Sequence, residues 1–474
     1  MSSRAGTLPV VASCVLFASA TAVMVPVTLG LGWDEVVYVS QHEPHGPAAF
    51  MSAPRAHGVT VLVWPVASWL DSIVALRLFL VTTAAASLGL AFWVWNRLLP
   101  HSGVASVAAA LYASLWIALF YANAAMPNHY TAMAAVAAVG SYLMAASDRA
   151  GPGVYLALAV SLAVAALMRP ADAFWLGLPL LTASLAVRRF RRWPLAAAAV
   201  AGLAAGGVPW IVEAESRFGG IAERLRQASA VQGGTTPRFA LWQVMSTLDG
   251  PILCRPCDSP LRWPAALWWV AVAVLVVIGL RAARRTGAAP AVWLALAVSA
   301  SMAFPYLFLI GYSAPRFLLP SYALALVPAA YGLLVLLRAA PAHRRVLVFA
   351  AVVVALAGHV AIQVVILRHV VSEQQRGRSD WARIARTLHS HGVRPPCVVS
   401  GHEAIPVAYY AGCRAVEDQG NNRNATSEEL QHTAATTSFA YLTRNGAPPG
   451  WARNWQRVPV QEVSHGLALY LPPR

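Results

Sequence analysis

The chain has 474 residues, of which 58% are hydrophobic and only 11% charged, with arginine but no lysine and a formal net charge of +16. A soluble globular chain carries roughly 25% charged residues, so this composition excludes an ordinary water-soluble domain. The arginines fall between apolar runs, which directs the basic excess to membrane topology and anionic lipid and leaves no nucleic-acid partner expected.

The first apolar run, about residues 8–30, is long enough to cross a hydrocarbon core of roughly 30 Å and has no clear cleavage site, so it reads as a retained helix. Gly32-Trp33-Asp34-Glu35 follows it. Two adjacent carboxylates at a membrane surface are costly when partly desolvated, and a desolvated carboxylate has a raised pKa suited to a general base. A solvated pair at a helix end is the competing reading.

The same loop carries Gln41, His42, His45, Arg55 and His57. The histidine spacings match no strong ligand pattern, so solvated interface histidines are the plainer reading. A divalent metal is allowed but not indicated, and no cofactor is firmly implied. Arg55 precedes the apolar stretch Val59–Leu70, whose 12 residues are too short to span and read as an interfacial or re-entrant helix with Trp64 and Trp69 at the interface. A guanidinium there can grip a phosphate through two parallel hydrogen bonds. Asp71 is expected to cap the next helix.

Ten further spans are expected at about 73–96, 103–121, 129–147, 153–168, 172–187, 194–213, 264–281, 290–310, 317–337 and 345–367, about eleven in all. With the N-terminus inside, the inner loops hold Arg97, Arg149, Arg188, Arg189, Arg191, Arg192, Arg281, Arg284, Arg285, Arg338, Arg344 and Arg345, as the positive-inside rule asks. Segments 32–72, 214–263, 311–316 and 368–474 then lie outside. Arg169, in Met168-Arg169-Pro170-Ala171-Asp172, and Arg316, in the stretch Tyr312–Pro320, sit near the outer ends of spans. Such an arginine faces protein or a water-filled cavity, unless it snorkels or, for Arg169, simply pairs with Asp172.

Cys14 lies in the first run, whereas Cys254, Cys257, Cys397 and Cys413 lie in segments placed outside, where disulfides form. Cys254-Arg255-Pro256-Cys257 has CxxC spacing, but no second pair completes a zinc site. The polar tail reads as a small α/β domain. Ser379 and Asp380 are expected to start a helix faced by Trp381, Ile384, Ala385 and Leu388 and ended by Gly392. A strand at Cys397–Ser400, a helix at Ala404–Ala411 and strands at 438–442 and 467–471 follow. Cys397 and Cys413, flanking that strand and helix, are a candidate disulfide. The domain division is 1–367 and 368–474.

This ensemble resembles the GT-C superfamily of glycosyltransferases, including bacterial aminoarabinose transferases, protein O-mannosyltransferases and GPI-type mannosyltransferases. Asp34-Glu35 stands where those families carry an acidic residue or pair, followed by a basic segment and interfacial helix as in Ala53–Gly58. Arg169-Pro170-Ala171-Asp172 resembles an Arg-Pro-Thr-Ala element. Pro315–Pro320 resembles a Glu-Arg-Phe-Leu-Leu-Pro element, with Ala314 and Pro315 in place of its charged residues.

The resemblance implies a multi-pass protein of the bacterial plasma membrane with its C-terminal domain outside. It also implies inverting transfer of a sugar from a polyprenyl-phosphate-linked donor to a hydroxyl of a glycan, lipid or protein acceptor. Asp34, with Glu35 as fallback, would be the base. Arg55, His57, Arg169 and Arg316 would hold the donor phosphate, and His42, His45 and Tyr312 would contact the acceptor or loop. The rival readings are a transporter or flippase of lipid-linked intermediates, a cell-wall glycan polymerase or ligase, and an inert scaffold. Convergence of Asp34, Arg55 and Arg316 on one outer cavity is the discriminating observation.

Overall fold

The computed structural model describes residues 3–44, 46–99, 103–147, 150–255, 257, 263–444, 446–460 and 467–473; His45 and Arg149 lie outside the described residues. Helices occupy all eleven expected places: Ser3–Met24, Ile73–Trp93, Val104–Ala113 with Trp116–Ala122, Pro127–Ala145, Pro152–Met168, Pro170–Ala186, Trp193–Arg217, Trp263–Thr286, Ala289–Phe308, Leu319–Ala339 and Arg345–Ser390. Among the described residues six helices are long and apolar enough to cross a membrane, or seven if the bent pair counts as one span.

Proline sets several boundaries. The first helix stops at Met24 because a residue before proline, here Val25 before Pro26, disfavours the helical region. Pro170 acts likewise on Arg169, which is extended at φ −151° between two helices and so presents its side chain at a break. Ala314 is extended before Pro315, and the short turn Pro315–Leu318 then carries Arg316.

The span at 104–122 bends by 78° between Ala113 and Trp116. The backbone N–H freed at Trp116 donates to Gln363 Oε1 at 2.8 Å, and Ser114 Oγ lies 3.0 Å from His359 Nε2. Both partners stand on the last long helix, so side chains from another element satisfy the kink.

Two expectations are corrected. Ser72, not Asp71, caps the helix at Ile73, its Oγ accepting from Ala75 N at 3.3 Å. No new helix starts at Ser379: the Arg345–Ser390 helix runs unbroken for 46 residues. No proline interrupts the polar stretch 372–380, and Ser379 Oγ bonds back to Gln375 O at 2.7 Å instead of capping a new start. The apolar stretch after Arg55 forms the helix Gly58–Ala67, with Trp64 and Trp69 exposed.

Beyond the long helix lies a five-stranded sheet of order β2-β1-β3-β5-β4, where β1 is Cys397–Gly401, β2 Arg414–Ala415, β3 Ser438–Arg444, β4 Gln456–Val458 and β5 Leu467–Leu471. β1 is parallel to β2 and β3, with helices Ala404–Ala411 and Ser427–Thr436 as crossovers, whereas β5 is antiparallel to both its neighbours. A disulfide joins Cys397 to Cys413. Tyr410 Oη donates to Leu31 O at 3.1 Å and Tyr409 Oη to Glu43 Oε1 at 2.9 Å, which seats the domain on the segment that follows the first helix.

Candidate active site beneath the C-terminal domain

Asp34 and Glu35 occupy the first turn of the short helix Trp33–Val39, where the helix dipole favours carboxylates. They point to different surroundings. Glu35 is 2% exposed, and its oxygens accept from Gly32 N (2.8 Å), Ala125 N (2.7 Å) and the Arg77 guanidinium, with Arg378 Nη1 at 3.1 Å. Burial would raise its pKa, but the Arg77 and Arg378 charges and these hydrogen bonds outweigh it and hold Glu35 at about 2. A Cβ at Gly32 would lie 2.9 Å from Arg378 Nη2 and 3.1 Å from Glu35 Oε2, so a larger residue there would displace this ion pair.

Asp34 is partly exposed and bridges two guanidiniums. Arg55 Nη2 donates to Oδ1 at 2.9 Å and Arg316 Nη2 to Oδ2 at 3.1 Å. Arg55 Nε also donates to Ser52 Oγ, while its Nη1 is buried with no hydrogen-bond partner among the described residues. The rings of Trp33 and Tyr38 lie 5.2 and 5.6 Å from the Arg55 guanidinium carbon. Arg316 Nη1 donates to Ile252 O at 2.9 Å and to Tyr121 Oη at 3.2 Å. Two cations share one carboxylate, which leaves a net positive charge facing the space above.

That space is a cavity of about 840 Å³. Its membrane-side wall includes Asp34, Glu35, Arg55, Arg169, Tyr312 and Arg316. His42 and His57 do not line it. His57 Nε2 instead lies 3.1 Å from Glu213, which also pairs with Arg224 at 2.8 Å. Arg224 is fully buried and donates to the carbonyls of Ala53 and Arg55, each at 3.0 Å, so it clamps the backbone that carries Arg55. Arg169 pairs with Asp172 at 2.9 Å and donates to Tyr306 Oη at 2.8 Å.

The opposite wall comes from the C-terminal domain. Gly401 ends β1, His402 and Glu403 follow it, and the segment Glu417–Asn421 follows β2, so all lie at the carboxyl edge of parallel strands where open α/β sheets bind ligands. Burial, aided by Glu403 and Asp418 and opposed by Arg55, pushes Glu417 up to about 7. Among the described residues no group of three or more His, Cys, Asp and Glu side chains could hold a metal ion.

No family model matches the chain, and no curated protein matches it in sequence. Solved structures do. ArnT from Cupriavidus metallidurans, crystallised with undecaprenyl phosphate, superposes with a TM-score of 0.67 at 12% identity over 97% of this chain and 99% of that one. The fold is that of the GT-C glycosyltransferases. Two further GT-C structures are similar. The archaeal oligosaccharyltransferase AglB from Archaeoglobus fulgidus, solved with an inhibitory peptide and a dolichol-phosphate, has a TM-score of 0.53 at 10% identity over 92% of this chain and 69% of that one. The mycobacterial arabinofuranosyltransferase AftD has a TM-score of 0.51 at 12% identity over 98% of this chain and 40% of that one.

Within this GT-C fold the sequence reading overlooked Arg77, Glu213, Arg224 and Arg378, the charges that hold named residues in place. Arg77 carried a usable signal, a lone ionisable residue in an apolar run. Arg378 and the Glu403 and Glu417 wall carried none, because only docking of the tail brings them to the membrane-side residues.

Proposed function

We propose that the chain is a membrane glycosyltransferase that moves a sugar, with inversion, from a polyprenyl-phosphate-linked donor to a hydroxyl acceptor outside the bacterial cytoplasm. The observation that carries this reading is the meeting of Asp34, Arg55 and Arg316 in one cavity beneath the C-terminal domain. Lipid-phosphate ligands in the ArnT and AglB structures support it.

The arrangement suits the chemistry in a definite order. A phosphate arriving between Arg55 and Arg316 competes with Asp34 for the same guanidinium protons, and Arg55 Nη1 supplies a further donor. Asp34, released from one or both arginines, takes the proton of the acceptor hydroxyl. The acceptor oxygen attacks the anomeric carbon as the bond from that carbon to the phosphate oxygen breaks. The departing polyprenyl phosphate carries the electron pair, and the guanidiniums stabilise its charge.

In this scheme Glu35 positions rather than reacts, since both its oxygens are engaged by Gly32 N, Ala125 N and Arg77. His57, through Glu213 and Arg224, steadies the Arg55 segment. We assign about eleven crossings, an external C-terminal domain, and the division at 367/368, across which one helix continues. A transporter calls for ionisable groups at the mid-plane of paired broken helices. Asp34, Arg55 and Arg316 instead gather under the domain. Purified full-length protein incubated with a panel of polyprenyl-phosphate sugars should release polyprenyl phosphate and a glycosylated acceptor with at least one of them. Absence of turnover with every donor, from well-folded protein, would reject the reading.

A further inference from the structure

The CxxC segment has a structural setting that the catalytic scheme does not use. Cys254 and Cys257 are joined as a disulfide, so neither sulfur is a free thiolate ligand. The backbone of Cys254 pairs with Ser313 in both directions, N to O at 2.8 Å and O to N at 3.2 Å. Two residues earlier, Ile252 O accepts from Arg316 Nη1 at 2.9 Å. This closed loop therefore braces the turn that presents Arg316 to Asp34.

Arg255, inside the closed loop, faces the other way. It lines the cavity with its guanidinium carbon 5.1 Å from the centre of the Tyr312 ring. Its Nη1 donates to Val231 O and to Asn421 Oδ1, each at 3.1 Å. These partners are neutral. Asn421 belongs to the segment Glu417–Asn421, which forms the domain-side wall. The segment Ile252–Cys257 thus touches Arg316 through Ile252, the Ser313 turn through Cys254, and Val231 and the domain wall through Arg255.

We propose that Arg255 is a positioning residue of the transferase site, holding the 417–421 wall against bound glycosyl substrate from a platform fixed by the Cys254–Cys257 disulfide. This rests on the transferase reading above. Loss of the contact lets the wall retreat, so substrate binds less well while the Asp34, Arg55 and Arg316 chemistry stays in place. A residue that only supported folding would lower the active fraction, and with it the apparent kcat, without moving KM.

The test uses the full-length protein in lipid nanodiscs with the donor panel. Arg255→Ala and Asn421→Ala should each raise KM about tenfold, the scale of one charge-assisted hydrogen bond, while kcat changes less than about threefold. The double variant should be no worse than either single one, because both remove the same contact. Arg255→Lys, still able to donate to Asn421, should recover most of the loss. Cys254→Ser with Cys257→Ser should raise KM at least as far as Arg255→Ala, with an added loss where the Ser313 turn that presents Arg316 loosens. Additive single effects, a kcat defect without a KM change, or an unaffected serine pair would overturn the proposal. Hydrogen exchange keeps the two ideas separable if no donor turns over: faster exchange at 417–422 in Arg255→Ala than in wild type supports the brace, and unchanged exchange rejects it.

Discussion

Asp34 and Arg316 meet at 3.1 Å across 282 residues of sequence. Arg316 stands on a turn fixed by Pro315 and Ile252 O, and Asp34 on a short helix capped by Glu35. The carboxylate is thus held at the cavity by two independent supports. Replacing Asp34 by Asn keeps the shape and removes the proposed base. Transfer should fall by at least about a hundredfold with little change in melting temperature. Near-normal turnover in a donor-release assay would remove Asp34 from the mechanism.

Arg55 is expected to hold donor phosphate. Arg55→Ala should weaken donor binding by roughly 2–3 kcal/mol, a charge-assisted bidentate contact, with Arg316→Ala in the same direction. Titration with a polyprenyl phosphate measures this directly. Unaltered affinity in both variants would place the phosphate elsewhere.

Glu35 makes stability acid-sensitive. Its carboxyl titrates at about 2 in the folded chain against an ordinary 4.5. The stabilisation is complete above about pH 4.5 and is lost as pH falls toward 2, on the order of 3 kcal/mol in all. Glu35→Gln leaves Arg77 and Arg378 buried without their anion, so it should destabilise at neutral pH and flatten the acid slope. Melting curves in detergent between pH 6 and pH 2.5, compared with wild type, read both effects.

Glu417 has the opposite sign. Held at about 7 in the folded chain, it binds a proton that the unfolded chain has already released, so stability declines as pH rises from about 4.5 through 7. Glu417→Gln should remove that decline and raise the melting temperature at pH 8 more than at pH 5. An identical pH profile in the variant would contradict this environment for Glu417.

The chain has five cysteines, and only Cys14 lies outside a disulfide. Denatured, unreduced protein should therefore label with one thiol reagent per chain, and reduced protein with five. Labelling of Cys397 and Cys413 without reduction would break the bridge, and a C-terminal reporter fusion active only in the cytoplasm would invert the topology.

The helical layout was legible because apolar runs near the width of a bilayer repeat between arginine-rich turns, and proline marks several ends. Asp34, Arg55, Arg169 and Arg316 were legible as polar residues at the ends of such runs, and the structure brings all four to one cavity. The separate duties of Asp34 and Glu35 were not. Adjacent letters cannot tell which carboxylate turns toward Arg77 and Arg378, since those partners lie 42 residues away and on the tail helix respectively. The new helix expected at Ser379 failed for a related reason: a polar stretch signals exposure, but it does not stop a helix that has already formed.

The unbroken Arg345–Ser390 helix also makes the molecule sensitive to helical phase. At 46 residues it is about 69 Å long, and it is gripped at two heights, by Trp116 N at Gln363 and by Glu35 at Arg378. Those grips are 15 residues apart, just over four turns, so they share nearly one side of the rod. One residue inserted between them would swing Arg378 by about 100°, away from Glu35, and carry the sheet domain round with it. Four inserted residues would return the azimuth to within about 40° while lifting the domain by about 6 Å. Tolerance to insertion at this point should rise and fall with the period of the helix, not decline smoothly with the number of residues added.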